Sequence, residues 1–145
     1  MNRKATETLG DSAWHFHLMS AAFAVRDALR PRVKILQELE IKPGFRVLDY
    51  GCGPGSYIAV LSALAGAEGK VYALDKHPLA IKAVECIITR NNLPNVETIR
   101  SEEHTALPDN LLDRILFYDI LHYPLKNMGE IFTELHRILK PDGLL

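Results

Sequence analysis

The chain has little of what would fix a function at once. It carries two cysteines in 145 residues. These are Cys52 and Cys86, with no C-x-x-C pair, which argues against a zinc cluster or a dithiol redox centre. Two free thiols suit a reducing compartment. Neither sign of charge dominates: 17 Lys and Arg face 18 Asp and Glu, for a formal net charge of −1. The global basic field that a nucleic-acid backbone attracts is therefore missing, and so is a polybasic membrane patch. No apolar run approaches the ~20 residues that span a bilayer. The basic Met1–Lys4 leads into a polar stretch, not the apolar core of a signal peptide. There is no internal repeat and no low-complexity segment. His15 and His17 lie two apart and would not share a helix face, so no metal site is expected from them. What remains is a soluble, cytoplasmic chain of one domain's length, with 48% hydrophobic residues to build a core.

The most telling stretch is Val47-Leu48-Asp49-Tyr50-Gly51-Cys52-Gly53-Pro54-Gly55-Ser56. It reads as a buried strand entering a glycine-rich turn, with a helix over Ser56–Ala65. Glycines allow sharp turning and close approach of a ligand, and a helix N-terminus offers N–H groups to ligand oxygens. The spacing is G-x-G-x-G, with Ser56 where a dinucleotide fingerprint has its third glycine. A second strand, Val71–Asp75, ends in a carboxylate able to accept both hydroxyls of a ribose. Together these imply an adenosine-type ligand.

The alternation continues with a helix over Pro78–Asn91, a strand over Val96–Ile99, a mostly loop link over Arg100–Asp113, a strand over Arg114–Tyr118 and a helix over Leu125–Leu139. Strand–helix alternation predicts an α/β fold, a three-layer Rossmann-like parallel sheet with helices on both faces. Upstream, Trp14–Leu29 and Arg32–Glu40 read as helices, with Asp11 or Ser12 as cap for the first. The chain thus divides into an N-terminal helical cap segment (1–41) and a ligand-binding domain (42–145).

The turn at Val47–Ser56, followed by Ala73-Leu74-Asp75, resembles the class I S-adenosylmethionine-dependent methyltransferases. Leu107-Pro108-Asp109-Asn110-Leu111-Leu112-Asp113 is similar to that family's approach to its fourth strand. Glu134-Leu135-His136-Arg137-Ile138-Leu139-Lys140-Pro141-Asp142-Gly143 is similar to its last helix and the turn into strand five. The resemblance covers about residues 40–145. It implies S-adenosylmethionine as cofactor. It implies an ordering role for Asp49 near the methionine end, against the plain alternative of a turn stabiliser. Gly51, Gly53 and Gly55 would wrap the ligand, and Cys52 would face it as an inert small residue. Asp75 would grip the ribose, against the alternative of capping the helix at Pro78. Lys76 would lie along the adenine by its stem. Many family members place an Asp after strand three. The matching position here is Ser101, next to Glu102, so the adenine contact falls to Glu102 or to a backbone group. Asp119 would sit near the transferable methyl. His122 is a weak candidate base, equally readable as a helix-entry histidine.

The functional expectation is methyl transfer to a small-molecule acceptor, with no nucleic acid or membrane as partner. The alternative is a non-catalytic or partner-dependent S-adenosylmethionine-binding module. A nicotinamide-dependent oxidoreductase is disfavoured by Ser56 and the C-terminal motifs. The family's C-terminal strands beyond Leu145 are missing from this sequence, so strand five is expected as a stub. The exposed edge would then either pair with a second copy in a homo-oligomer or be flexible, unless the chain is a truncation product.

Overall fold

A computed structural model of the chain describes Leu18 and residues 33–118 and 127–145. The elements run α1 (Val33–Glu38), β1 (Arg46–Tyr50), α2 (Ile58–Ala65), β2 (Lys70–Asp75), α3 (Pro78–Asn91), β3 (Val96–Arg100), β4 (Leu112–Leu116), α4 (Met128–Ile138) and β5 (Leu139–Leu144). The five strands form one sheet in the order β3-β2-β1-β4-β5. Every neighbouring pair is parallel.

Residues alternate across the sheet, and each face finds helices. Val47, Val71 and Ala73 join Leu36, Ile58, Leu61 and Val84 in a core shared with α1, α2 and α3. Leu48, Tyr50, Leu74 and Ile115 join Ile131, Leu135 and Ile138 of α4 on the other side. This period of two along β1 and β2 is what burying both faces of a parallel sheet requires. The three-layer expectation holds. Leu36 and Leu39, from the segment expected to form a cap, sit in the same core as β1.

Helix ends follow local chemistry. α3 begins with proline in its first turn, and the His77 ring accepts the Leu79 N–H at 3.2 Å. The helix stops at Asn92, which adopts a left-handed conformation with φ 50°. α2 starts two residues later than the sequence suggests, because Gly55 still carries φ +85° and the turn continues through it.

β4 also differs from expectation. It covers Leu112–Leu116 instead of Arg114–Tyr118. Its start is extended because Asp113 accepts the Arg46 N–H at 2.8 Å and the Lys140 ammonium at 2.5 Å, tying β4 to both neighbours. β5 is six residues long and begins directly after α4, with a register irregularity against β4 between Leu112 and Arg114. It is thus an edge strand of full length, not a stub. The helix read over Trp14–Leu29 and its cap, together with His15, His17, Arg32, Asp119 and His122, lies outside the described residues. So does the start of the helix read from Leu125.

The link between β3 and β4 contains no helix. It is held by side chains of α4. Glu134, nearly buried, accepts the Thr105 N–H at 2.8 Å and hydroxyl at 2.6 Å. Arg137 donates to Glu134 at 2.8 Å and to the Leu107 carbonyl at 2.9 Å, and pairs with Asp109 at 2.5 Å. This network explains why a glutamate and an arginine three apart recur in the last-helix motif read from the sequence. The Arg137 guanidinium, with help from Thr105, holds the Glu134 carboxyl down at about 2, against the cost of its burial.

Candidate active site

The sheet order changes direction between β1 and β4, and in open parallel sheets the crevice beyond the strands' carboxyl ends at such a point is where ligands bind. Asp49, the glycine turn and Asp75 all gather there.

Three glycines make the turn possible, with φ of 72° at Gly51, 51° at Gly53 and 85° at Gly55. All lie in the left-handed region that side chains disfavour. Their surroundings separate two roles. A Cβ on Gly53 would meet nothing within 4 Å, so this glycine borders open space. A Cβ on Gly55 would come within 2.8 Å of Ile87 and 3.1 Å of Val84, so this glycine lets α3 pack against the turn.

The turn's amides are not free. Gly51 and Cys52 both donate to the Leu74 carbonyl, at 2.7 and 2.9 Å. The Gly55 N–H goes back to Cys52 at 3.0 Å, and the Gly53 N–H goes to Asp75 at 3.0 Å. These four N–H groups therefore do not await ligand oxygens, contrary to the expectation from the glycine pattern alone. A pyrophosphate is bound by aimed amides, and this turn aims them at protein.

The site instead presents carboxylates. Asp49 is 3% exposed, and its Oδ2 has no hydrogen-bond partner. Burial first, and Asp75 second, push its pKa up from 3.8 to about 7. Asp75 accepts the His77 N–H at 2.8 Å with Oδ1 and the Gly53 N–H with Oδ2. Each oxygen keeps a second acceptor position. Asp75 does not cap α3; His77 does. Cys52 is buried, and burial together with Asp49 and Asp75 pushes its thiol pKa far up. It is a neutral packing residue, in keeping with the inert reading.

On the β3 side, Lys76 pairs with Glu102 at 2.8 Å across the exposed rim. Ser101 donates its N–H to the Asp75 carbonyl at 3.2 Å, and its hydroxyl accepts the His104 N–H at 3.2 Å. A residue missed by sequence reasoning completes the rim. The Tyr50 hydroxyl donates to the Glu102 carbonyl. Tyr50 was read only as the end of a strand, although an aromatic ring with a polar tip at a strand's carboxyl end is itself a signal. Burial, then Glu102, Glu103 and Asp75, push its pKa up to about 12, so it remains a neutral donor.

One strand over, Leu116 pairs with Asp49 in the β1–β4 ladder. It lines an apolar groove of about 410 Å³, with Leu39, Phe117, Tyr118, Phe132 and Leu145 among its walls. Among the described residues, no group of three or more His, Cys, Asp or Glu side chains is placed to hold a metal ion, and no helix is long and apolar enough to cross a membrane.

Comparison with known proteins gives a consistent result. The family profile described as methyltransferase domain matches residues 47–143. A demethylmenaquinone methyltransferase from Geobacillus stearothermophilus is 29% identical over 134 residues, covering 90% of this chain and 56% of that protein. A protein-L-isoaspartate O-methyltransferase from Methanocella arvoryzae is 34% identical over 73 residues, covering 50% of this chain and 39% of that one. Among solved structures, a SAM-dependent methyltransferase from Aquifex aeolicus superimposes with a TM-score of 0.68 at 37% identity, covering 80% of this chain and 62% of that one. The chain spans about half the length of the first curated relatives it matches.

Proposed function

The chain belongs to the methyltransferase-domain family, in its class I S-adenosylmethionine-dependent group, and from that premise we propose that it transfers a methyl group from S-adenosylmethionine to a small-molecule acceptor. The observation that carries this reading is the charge of the site. Its turn amides are spent on protein acceptors, while a buried carboxylate oxygen of Asp49 has no partner. Such a site suits a cationic, hydroxyl-bearing ligand and opposes a pyrophosphate.

The residues present fit that cofactor. Asp49 would place negative charge beside the cationic amino-acid half. Asp75 would accept the ribose hydroxyls at its remaining lone pairs. Gly53 would allow close approach, since no Cβ fills the space beside it. Cys52 would form an uncharged wall. The Lys76–Glu102 rim and Ser101 would border the adenine. When bound, S-adenosylmethionine supplies an electrophilic methyl on a sulfonium. The chain's part in the reaction is then to hold the reactants in line and keep water out, which alone accounts for large accelerations. Asp119 and His122 remain part of this proposal through the family resemblance, as residues beyond the carboxyl end of β4.

The acceptor enters through the groove beside Leu116, whose walls are largely leucine and aromatic. That lining supports an apolar small molecule, and the demethylmenaquinone methyltransferase relatives carry an acceptor of that size class in their name. The expectations of a cytoplasmic location, of no nucleic-acid partner and of pairing along β5 belong to this same reading.

Calorimetry with S-adenosylhomocysteine and with NAD tests it directly. The homocysteine ligand is expected to bind and NAD is not. Gly53→Val should abolish binding while leaving the helical circular-dichroism signal in place. Binding that survives this substitution, or a preference for NAD, rejects the assignment. Turnover in an acceptor screen with labelled methyl donor separates the enzyme from a non-catalytic binding module.

A further inference from the structure

The loop after β3 is fastened unusually well for a surface loop. Its Ser101 N–H is held by β2, and its Glu103 side chain by Asn127 at the start of α4. Glu102 itself is held at two points. Its main-chain carbonyl accepts the Tyr50 hydroxyl, and its carboxylate pairs with Lys76.

The two tethers differ in strength. Glu102 and Lys76 have side chains 43% and 52% exposed, so their ion pair is solvated and contributes little. Tyr50 is 4% exposed and stacks 5.2 Å from Phe117, which in turn lies 5.5 Å from Phe132. Its ring cannot swing away without opening the core under α4. The hydroxyl therefore sets where the Glu102 backbone lies. Lys76 takes one carboxylate oxygen, Oε1, and leaves the other for a donor on a ligand.

We propose that Tyr50 is a positioning residue that sets base selectivity at the nucleoside site, by fixing Glu102 where its carboxylate accepts from an exocyclic amino group and repels a carbonyl oxygen. This rests on the reading of the site as one for an adenosine-type cofactor. It assigns a function to a tyrosine that sits beneath the site and would not touch the ligand. A fixed acceptor discriminates amino from carbonyl; a loosely held glutamate turns away and does not.

The test uses the full chain and two probes, S-adenosylhomocysteine and S-inosylhomocysteine, which differ at this one position of the base. Wild type is expected to prefer the adenosine ligand by about tenfold, the scale of one rim hydrogen bond gained against one acceptor–acceptor contact. In Tyr50→Phe the preference should shrink to about twofold, with the thermal midpoint recorded alongside. General destabilisation would weaken both ligands together and leave their ratio unchanged, so the ratio is the diagnostic quantity. Glu102→Gln offers a second reading, since its carboxamide can donate to the inosine carbonyl and should bring the two affinities level. Normal binding of the adenosine ligand with the same ratio in wild type and both variants overturns this inference alone. Failure of wild type to bind either probe overturns it together with the cofactor reading.

Discussion

Replacing Asp49 by asparagine removes a charge that the fold stabilises poorly. The carboxyl titrates near 3.8 when solvated and at about 7 in the folded chain, mainly because burial strips it of water. A gap of roughly three pH units corresponds to ~4 kcal/mol of unfavourable free energy once the group is ionised in both states. The sign follows from proton counting. Below the unfolded value both states hold the proton and the group has no effect. Between that value and about 7 the folded state keeps a proton that the unfolded state has lost, so stability falls as pH rises. Asparagine keeps the shape but buries a new amide donor, which returns about 1–3 kcal/mol of the gain if it finds no acceptor. Asp49→Asn should therefore be more stable than wild type by about 1–3 kcal/mol at pH 8 and nearly equal to it at pH 4. Urea unfolding at several pH values measures this. The same variant should lose most of its affinity for S-adenosylhomocysteine, since the unpartnered oxygen is the proposed seat of the ligand's positive charge. A stability difference that does not change with pH, or a stabilised variant that binds normally, refutes the reasoning. The carboxylate is thus expected to stand in the way of stability and in the service of binding, a trade common at functional sites.

Glu134→Gln should behave in the opposite sense. Its carboxyl is held at about 2 by Arg137 and Thr105, so wild type should exceed the variant by about 2–3 kcal/mol above pH 5, with the gap closing as pH falls toward 2. Chemical unfolding at pH 7 and pH 3 checks it. Gly55→Ala should cost about 1–2 kcal/mol, chiefly from its φ of +85°, since the nearest atom in its way is the flexible end of Ile87. A thermal-melt comparison reads this directly. Alkylation by iodoacetamide at pH 8 under native conditions should label Cys86, which is exposed, and spare Cys52, which is buried with a raised pKa. Mass spectrometry of the digested protein distinguishes the two.

Much of the architecture was legible because burial on both faces leaves a regular trace. α3 is read residue for residue from Pro78 to Asn91, since a proline opens it and a left-handed asparagine follows its last turn. Boundaries failed where a side chain overruled local pattern. Asp113 reads as a loop acid, yet its bonds to Arg46 and Lys140 draw β4 two residues earlier. The candidate site was legible in its chemical types and less so in its hydrogen bonds. Asp49, the glycines and Asp75 are named by spacing. That their amides would face Leu74 and Asp75, and that Tyr50 would reach Glu102, depends on strands brought side by side by the fold. No local pattern encodes a contact between residues 52 positions apart.

The Leu74 carbonyl accepts two successive amides of the glycine turn. The bend is consequently moored to the neighbouring strand before its own helix begins. Asp75 is the very next residue after that mooring point, so the hinge of the turn and the sugar-gripping acid travel as one piece. Changes along α2 can be absorbed downstream of the bend, whereas a slip of β2 by a single residue would displace both halves of the nucleoside seat at the same time.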